Sequence, residues 1–478
     1  TMIALSPLLT LLACPVDDPA ESGDQAVPDL SERLGAAEVR AGVVTSAHAL
    51  FGGISAEGQL GDVKIYNDRV RFIIEAVGDS GYYVDYGGNL VDADLVRPEG
   101  QPGRDMIDEI APMVSLARVV DATAVEVVDD GATGVAHVRV TGRGAPMRLA
   151  TGAFDNPGIV PDHDLTIVTD YVLRPGEWTM EVTTTVQNDD SADFTATIGL
   201  LGIVGQEVGD NWRPLTGFDD PADGERTMEA LTGRQNQGTF AIMAGQGALA
   251  ANSVGDLLSG LAAGVSAFDE ATVIAPGSSA AWTARVGIAP DPATLERERL
   301  DREGTAFEEV GGLVTAGGAP LEGARVHVLD DDDQVLSFAI TGADGAWSAP
   351  GLGAARFVAT GRGDGIGIDL PAGHGNAAPY DRSGDDTLGS LRDGGVPVPF
   401  ATGYGVSDAS TGTDFELVPA GWVHGAVGDG GAAAVIVDFA VGDAVAEDRA
   451  LFPGRPGGHA SIAYVLDGDA SFPVEPGD

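Results

Sequence analysis

The sequence predicts a mainly β protein, in which one large antiparallel β-sandwich precedes one or two small β-sandwich modules. Short segments alternate between apolar and polar residues with a period of two, as expected for half-buried strands. The chain of 478 residues contains 69 glycines and 27 prolines, and Gly, Asn or Asp stands in many of the turns between segments. Since 44% of the residues are hydrophobic, the chain is expected to bury a core and fold.

Residues 41–290 carry the most regular strand pattern. Asn67 and Asp68 separate two alternating runs, and such a pair favours a β-hairpin. Two further hairpins are predicted around the turns 129–131 and 174–177. The predicted strands of the three hairpins are 63–66 with 70–74, 124–128 with 136–140, and 165–173 with 178–186. Many strands at short spacing indicate antiparallel sandwich architecture, and the pattern fits either one sandwich or two.

A helix is predicted over residues 291–304. Asp291 is a suitable N-cap, Pro292 would occupy the first helical position, and a glycine ends the run. Because this helix follows many strands and precedes a change in composition, we end the large β domain, 41–304, here. Within that domain the segment Asp164–Thr185 resembles the large supersandwich of sugar-mutarotase-like domains.

The clearest modular pattern follows the helix. It consists of four predicted strands separated by a Gly/Pro turn, an acidic loop and an Asp-Gly turn. Two motifs carry the pattern, Gly318-Ala319-Pro320-Leu321-Glu322-Gly323-Ala324 and Thr341-Gly342-Ala343-Asp344-Gly345-Ala346-Trp347. Over residues 306–362 the chain thus resembles the carboxypeptidase regulatory-like domain, a small prealbumin-like β-sandwich. We assign this domain, with a loop-rich extension, to residues 305–418.

Residues 419–478 repeat the opening of this module in a degraded form. Gly425-Ala426-Val427 leads through a glycine turn to the predicted strand Ala434–Phe439, but the Pro-Leu and Gly-Ala pairs are absent. The segment ends in Phe472-Pro473-Val474-Glu475-Pro476-Gly477, which normally leads into another strand of such a module. We therefore expect a second, incomplete β-sandwich module.

The N-terminal segment contains the only cysteine of the chain, Cys14. An apolar run ending in Leu11-Leu12-Ala13 precedes it, and this run is shorter than the roughly 20 residues that span a bilayer. The arrangement resembles a bacterial lipoprotein signal; the alternative is a buried free thiol in an ordinary strand. The resemblance implies a signal segment at 1–14 and lipid attachment at Cys14. An acidic tether at 15–40, with a short helix near Leu30–Leu34, would follow, and the protein would be lipid-anchored in the bacterial cell envelope, in the periplasm or at the cell surface.

The charge of the chain excludes one class of partner. The formal net charge is −47, from 26 basic and 73 acidic residues. Nucleic-acid binding depends on the neutralisation of phosphates by Lys and Arg, so we expect no nucleic-acid partner. Excess negative charge is typical of a soluble, self-repelling surface.

Candidate catalytic and metal-binding residues are sparse. No two histidines are closer than 26 residues, and the sequence contains no His-x-His motif. Asp162-His163-Asp164 could supply metal ligands or could simply lead into a strand. The acidic run Asp330–Asp333 could bind calcium or could form a solvated hairpin tip. We interpret both as structural, and we predict no catalytic residue, no metal site and no cofactor in this chain.

Two other groups of residues resemble functional sites. The segment around His48 and the Gly78-Asp79-Ser80-Gly81 motif resemble boxes of trypsin-like proteases, but the two lie too close in sequence for that fold, so we interpret the second as a turn. Several aromatic residues could form a platform for stacking sugars, although core or sheet-face packing is the commoner role for such residues. They are Tyr82, Tyr83, Tyr86, Trp178 and Trp212.

Together these parts resemble the N-terminal region of bacterial PHP-type metallohydrolases of the carbaryl-hydrolase-like (CehA/McbA) group. The likeness is clearest in Asp369-Leu370-Pro371-Ala372-Gly373 and Pro399-Phe400-Ala401-Thr402-Gly403-Tyr404-Gly405. In that family a His-rich catalytic domain follows, and the resemblance implies such a domain after Asp478. The expected function is a non-catalytic scaffold in a lipid-anchored protein. The alternative is a self-contained surface lipoprotein that binds carbohydrate or another envelope component.

Overall fold

The computed structural model describes most of the chain between residues 29 and 360 and shorter segments after it. Within 29–360 the gaps are 53–55, 99–102, 106, 116–117, 148–162, 206–208, 219–226, 234–237, 246–248, 250–261, 332–334, 352 and 355. The described segments after 360 are 366–369, 396–399, 407–408, 413–417, 421–426, 434–439, 459–464 and 469–474. The protein is mainly β and contains large antiparallel sheets, as the sequence predicts.

Seventeen strands precede the helix. They are β1 (Val39–Val43), β2 (Val63–Asn67), β3 (Val70–Ile74), β4 (Leu90–Leu95), β5 (Ile107–Val114), β6 (Arg118–Asp130), β7 (Ala136–Pro146), β8 (Leu165–Leu173), β9 (Thr179–Asn188), β10 (Phe194–Ala196), β11 (Ile198–Gly205), β12 (Gly209–Trp212), β13 (Met228–Gly233), β14 (Thr239–Ala244), β15 (Ala262–Phe268), β16 (Thr272–Ile274) and β17 (Ser279–Ala289).

Fifteen of these strands form one antiparallel sheet that folds over on itself. The order runs from β1 to β9 in sequence and continues through β17, β14, β13 and β12, while β11 pairs with both β5 and β15. Strands β1 and β2 lie against β6, β7 and β8, so the two halves of the sheet enclose a common apolar core. Buried residues of this core include Ile65, Phe72, Val138, Ile167 and Val182.

The three predicted hairpins are confirmed. Strands β2 and β3 pair on either side of Asn67-Asp68, and Asn67 Oδ1 accepts hydrogen bonds from the backbone N–H groups of Arg69 and Val70. Strands β8 and β9 pair as predicted, with alternate residues of β8 buried. Strands β6 and β7 also pair, but they are longer than the alternation predicts. Two register shifts in that pair accommodate the extra length.

One α-helix, α1 (Pro292–Glu303), follows β17 and confirms the predicted helix. Asp291 caps its N-terminus by accepting a hydrogen bond from the Thr294 N–H at 2.8 Å. Gly304 ends it in the left-handed conformation, with φ of 67°, which glycine adopts without steric cost.

The second module contains two small sheets around a separate core, and two of its strands pair only with each other, outside those sheets. Its strands are β18 (Glu309–Ala316), β19 (Ala319–Pro320), β20 (Arg325–Leu329), β21 (Val335–Ile340), β22 (Ala346–Pro350), β23 (Arg356–Thr360), β24 (Ile366–Asp369), β25 (Val396–Pro399), β26 (Ser407–Asp408) and β27 (Phe415–Leu417). One sheet has the order β19-β18-β22 with β27 parallel to β18, and the other has the order β21-β20-β23-β26. The segment that we expected to be a loop-rich extension thus contributes two strands, β26 and β27, to the sheets of this module.

The last described strands form two separate pairs. They are β28 (Gly421–Ala426), β29 (Ala434–Phe439), β30 (His459–Tyr464) and β31 (Asp469–Val474). Strand β28 pairs with β31 and β29 pairs with β30, both antiparallel. No helix among the described residues has the length and apolar character needed to cross a membrane.

The short helix expected near Leu30–Leu34 is not formed. Residues 30–32 instead make a turn in which Asp29 Oδ1 accepts hydrogen bonds from the N–H and hydroxyl of Ser31. This local bonding of an Asp side chain competes with helix formation, so the mild helical pattern was misleading.

Candidate functional site

Six carboxylate side chains gather at one end of strands β2 to β5 in the large sandwich. We call them the carboxylate cluster: Glu57, Asp62, Glu75, Asp92, Asp105 and Glu109. Asp92, Asp105 and Glu109 are completely inaccessible to solvent, and Glu75 is half-buried. Acidic residues are almost never fully buried unless they have partners, so this group is the most unusual polar feature of the described chain.

Most of these carboxylates accept hydrogen bonds from backbone N–H groups of neighbouring loops. Asp92 accepts from Glu57 at 2.6 Å and from Gly58 at 3.0 Å. Asp62 accepts from Gln59 and Ala76. The loops that precede β2 and follow β3 are therefore tied to the sheet through buried carboxyl side chains.

The two remaining loops at this end are held in the same way. Asp105 accepts from the N–H groups of Ala93 and Ile107, and Glu109 accepts from Val84 at 2.9 Å. The amide of Asn89 also donates to Glu109, at 2.8 Å.

A neighbouring buried acid, Asp94, has a different environment. Arg71 and Arg97 each form an ion pair with it at 2.7 Å. Burial alone would raise the pKa of Asp94, but the two guanidinium groups outweigh that effect and lower it. Asp94 is therefore a paired structural anion, in contrast to the carboxylate cluster.

Burial raises the pKa of every member of the carboxylate cluster. It raises the pKa of Glu57 to about 9 and that of Glu109 to about 8, and neighbouring carboxylates add to both shifts. The pKa of Glu75 rises to about 7, chiefly through burial. Burial also raises the pKa values of Asp62, Asp92 and Asp105. Several of these groups therefore hold a proton near neutral pH.

Some polar atoms beside or within the cluster lack a hydrogen-bond partner in the part of the chain that the structure describes. Examples are Oδ2 of Asp105, Oε2 of Glu75 and Oδ1 of Asn89. A protonated carboxyl can donate as well as accept, so retained protons would lower the cost of burying such oxygens.

A turn rich in tyrosine lies beside the cluster. Residues 78–87 form this turn between β3 and β4, and Asp79 pairs with Tyr86 across it. Tyr82, Tyr83 and Tyr86 are all half-buried, and the rings of Tyr82 and Tyr83 meet edge to face, with centroids 5.9 Å apart. Burial and the neighbouring Asp108 raise the pKa of Tyr83.

The aromatic platform suggested by the sequence is thus only partly assembled. The tyrosines share one turn, whereas Trp212 is fully buried in a separate cluster beside the helix. Trp178 packs against that cluster and under the guanidinium of Arg69, 4.9 Å from the ring centroid. For both tryptophans the commoner role, packing in or against a core, is confirmed.

The described residues contain no group of three or more His, Cys, Asp or Glu side chains arranged to hold a metal ion. The ring of His163 stacks on Phe194 and lies 3.2 Å from Oδ1 of Asn188, while Asp164 pairs with Arg143. Asp162 lies outside the described residues, as do Asp332 and Asp333 of the acidic run.

The protease-like boxes have ordinary structural roles. His48 is exposed on a short 3-10 helix, Ala47–Ala49. Ser80 lies in the tyrosine-rich turn, where its hydroxyl accepts a hydrogen bond from the Tyr82 N–H at 3.2 Å. The interpretation of Gly78–Gly81 as a turn is confirmed. Cys14 lies outside the described residues.

Sequence reasoning missed the carboxylate cluster. Its signal was the presence of acids inside apolar strands: β4 reads Leu-Val-Asp-Ala-Asp-Leu, and Asp108-Glu109 interrupts the apolar β5. All residues of both strands are buried, so these acids could not point to solvent.

Comparison with known proteins adds little. No protein-family model matches this chain. No curated protein sequence matches it significantly.

Among solved structures, three are similar at low identity. A protein from Synechocystis sp. PCC 6803 gives a TM-score of 0.32 at 8% identity, covering 50% of this chain and 98% of that one. A galactose mutarotase-like protein from Lactobacillus casei gives 0.28 at 11% identity, covering 48% and 100%. An alpha-galactosidase from Lactobacillus brevis gives 0.31 at 6% identity, covering 54% and 44%.

Proposed function

We propose that this chain is the non-catalytic scaffold of a lipid-anchored protein of the bacterial cell envelope. The observation that supports it best is the way α1 is bonded to both β modules. Glu298 accepts hydrogen bonds from the Trp178 N–H, at 2.7 Å, and from the Thr179 hydroxyl, both in the large sandwich. Arg297 pairs with Glu309 of the small module at 2.9 Å and donates to Ser348.

Further contacts join the two modules directly. The cap residue Asp291 also accepts from the Ile340 N–H of β21 at 2.8 Å. Trp212 donates its indole N–H to the Leu336 carbonyl at 2.8 Å. Side chains from three segments thus fix one module against the other, which suits a rigid support better than a flexible linker.

The remaining parts of the proposal rest on the sequence. The residues around Cys14 support lipid attachment, and the motifs after residue 306 support association with a PHP-type metal-dependent hydrolase domain. In this arrangement the β modules would hold such a domain at a set distance and orientation from the membrane.

Substitution Cys14→Ser tests the anchor. In a bacterial host the natural precursor is expected to fractionate with membranes and incorporate labelled palmitate, whereas the variant is released and unlabelled. Thr10→Ala, which alters the same segment but keeps the thiol, is the matched control and should stay with the membrane. Membrane retention of the Cys14→Ser protein would refute lipid anchoring.

Carbohydrate binding is the second candidate function, and the tyrosine-rich turn favours it. Half-exposed rings offer faces on which sugars stack, and Asp108 lies beside Tyr83. We expect Tyr82→Ala to reduce retention on polysaccharide columns about tenfold, as loss of one stacking contact implies. Val273→Ala, which alters an exposed residue elsewhere, is the control. Equal retention of wild type and Tyr82→Ala would contradict a binding role for this turn.

A further inference from the structure

Residues 29–38, which precede β1, are attached to the large sandwich in an unusual way. Only Leu30 among them is buried, and Leu34 is half-buried. Their two backbone–backbone hydrogen bonds, Glu32 to Asp29 and Glu38 to Gly35, stay within the segment, and none in the described chain joins it to the body. We call residues 29–38 the strap.

Side chains of the large sandwich bind the strap through hydrogen bonds and an ion pair. The Lys64 ammonium donates to the Leu30 carbonyl at 2.7 Å and to the Ala49 carbonyl at 2.7 Å. The Tyr66 hydroxyl donates to the Glu32 carbonyl at 3.1 Å. Arg40, at the start of β1, donates to the Asp29 carbonyl at 2.7 Å and pairs with Glu32.

The apolar part of the attachment is chiefly the buried side chain of Leu30, and the half-buried Leu34 packs against the same cluster. Leu30 inserts into a small cluster that includes Leu50, Phe51 and Ile73 and is distinct from the main core. Gly42 of β1 makes room for it: a Cβ atom at that position would lie 3.1 Å from Leu30 Cδ2. The plug formed by Leu30 therefore depends on the absence of a side chain at Gly42.

Docking of the strap also carries a cost. Lys64 is the only lysine of the chain, and its burial lowers the pKa of the amine to about 7. Opening the strap would return the amine to water and remove that penalty. A segment held by the Leu30 plug, the half-buried Leu34 and three polar side chains, against such a cost, is suited to local opening without unfolding of the sandwich.

We propose that the strap is a releasable latch at the point where the tether meets the sandwich, plugged by Leu30 and clasped by Lys64, Tyr66 and Arg40. Its release would free ten residues of the tether from the sandwich, or up to about 35 Å of extended chain. This consequence rests on the proposed lipid anchor, whereas the latch itself does not. With the strap docked, the large sandwich would stay near the membrane. With the strap released, the sandwich could move further from the membrane.

Thiol labelling tests the latch in the full chain carrying Cys14→Ser. A thiol introduced by Ala49→Cys lies in the cluster that Leu30 plugs, and one introduced by His48→Cys is exposed beside it. We expect the first to react about 30-fold more slowly than the second. Adding Leu30→Ala should accelerate labelling at position 49 about 30-fold, up to the rate at position 48, without changing the rate at 48.

Two further results decide between a latch and an integral part of the fold. Labelling at position 49 should depend only weakly on denaturant below the unfolding transition, because opening is local. Tyr66→Phe, which removes only the hydroxyl, should accelerate labelling about fivefold with an unchanged thermal midpoint. The latch would be overturned if the thiol at position 49 became labelled only when the whole protein unfolds. It would also be overturned if Leu30→Ala left the labelling rate at position 49 unchanged. Since the protein tested carries no lipid, this outcome is independent of the anchor test.

Discussion

Raising the pH from 5 to 9 is expected to lower the free energy of unfolding by several kcal/mol. Burial raises the pKa of Glu109 to about 8 in the folded protein, against 4.5 for an exposed Glu. Such a group stabilises the folded protein fully at pH values below its pKa in the unfolded state. This stabilisation is lost as the pH rises through the pKa of the group in the folded state. Between pH 5 and 8 the loss for Glu109 alone is on the order of 4 kcal/mol.

Other buried groups modify this profile. Glu57, with a pKa of about 9, acts in the same direction as Glu109. Lys64, with a pKa lowered to about 7, acts in the opposite direction above pH 7 and offsets roughly one carboxylate. Since at least six carboxylates have raised pKa values, the net effect remains destabilisation at alkaline pH.

Urea unfolding at pH 5, 7 and 9 measures the profile, and Glu109→Gln provides the specific test. The amide cannot ionise, but it leaves one of the two N–H donors, from Val84 or Asn89, without an acceptor. We expect the variant to be less stable than wild type at pH 5 and to lose less stability by pH 9. A wild-type protein that is equally stable at pH 5 and 9 would contradict the assigned protonation of the cluster.

Replacing Trp212 is expected to have the second large effect. Trp212 is completely buried beside α1, and its indole is bonded to the second module through Leu336. Trp212→Ala should destabilise the protein by about 3–5 kcal/mol, through lost burial and a residual cavity. It should also loosen the second module, because nearby Phe218, which stacks on Phe338 with centroids 6.2 Å apart, loses a neighbour.

Trp212→Phe is the matched control for this change. It keeps most of the apolar volume but removes the N–H that donates to Leu336. We expect an intermediate loss of stability, chiefly from the unsatisfied carbonyl, and little loosening between modules. Equal stability of Trp212→Ala and wild type would show that the contact does not join the modules.

Local patterns in the sequence identified the elements that depend on neighbouring residues. The turn at Asn67-Asp68 and the capped helix from Asp291 to Gly304 were predictable, because turn and cap chemistry involves only a few adjacent residues. The prediction of a short helix near Leu30 was wrong, also because of adjacent residues: the Asp29 side chain accepts a hydrogen bond from the Ser31 N–H and favours a turn.

Long-range pairing was not predictable from these patterns. Strand β11 pairs with β5 across about 90 residues of sequence, and β27 returns across about 100 residues to lie parallel to β18. The carboxylate cluster depends on the same distant contacts. Asp92 finds its N–H donors on residues 57 and 58, so the sequence around Asp92 alone does not reveal how its charge is accommodated.

The distance between the two modules tests the central claim, that they form one rigid scaffold. In a Cys14→Ser chain, spin labels on thiols introduced by Ala132→Cys and Ala343→Cys would lie on exposed turns of the first and second modules. Pulsed electron paramagnetic resonance should give one narrow distance distribution, which Trp212→Ala broadens and Trp212→Phe preserves. A broad distribution in the chain with native Trp212 would contradict the rigid scaffold.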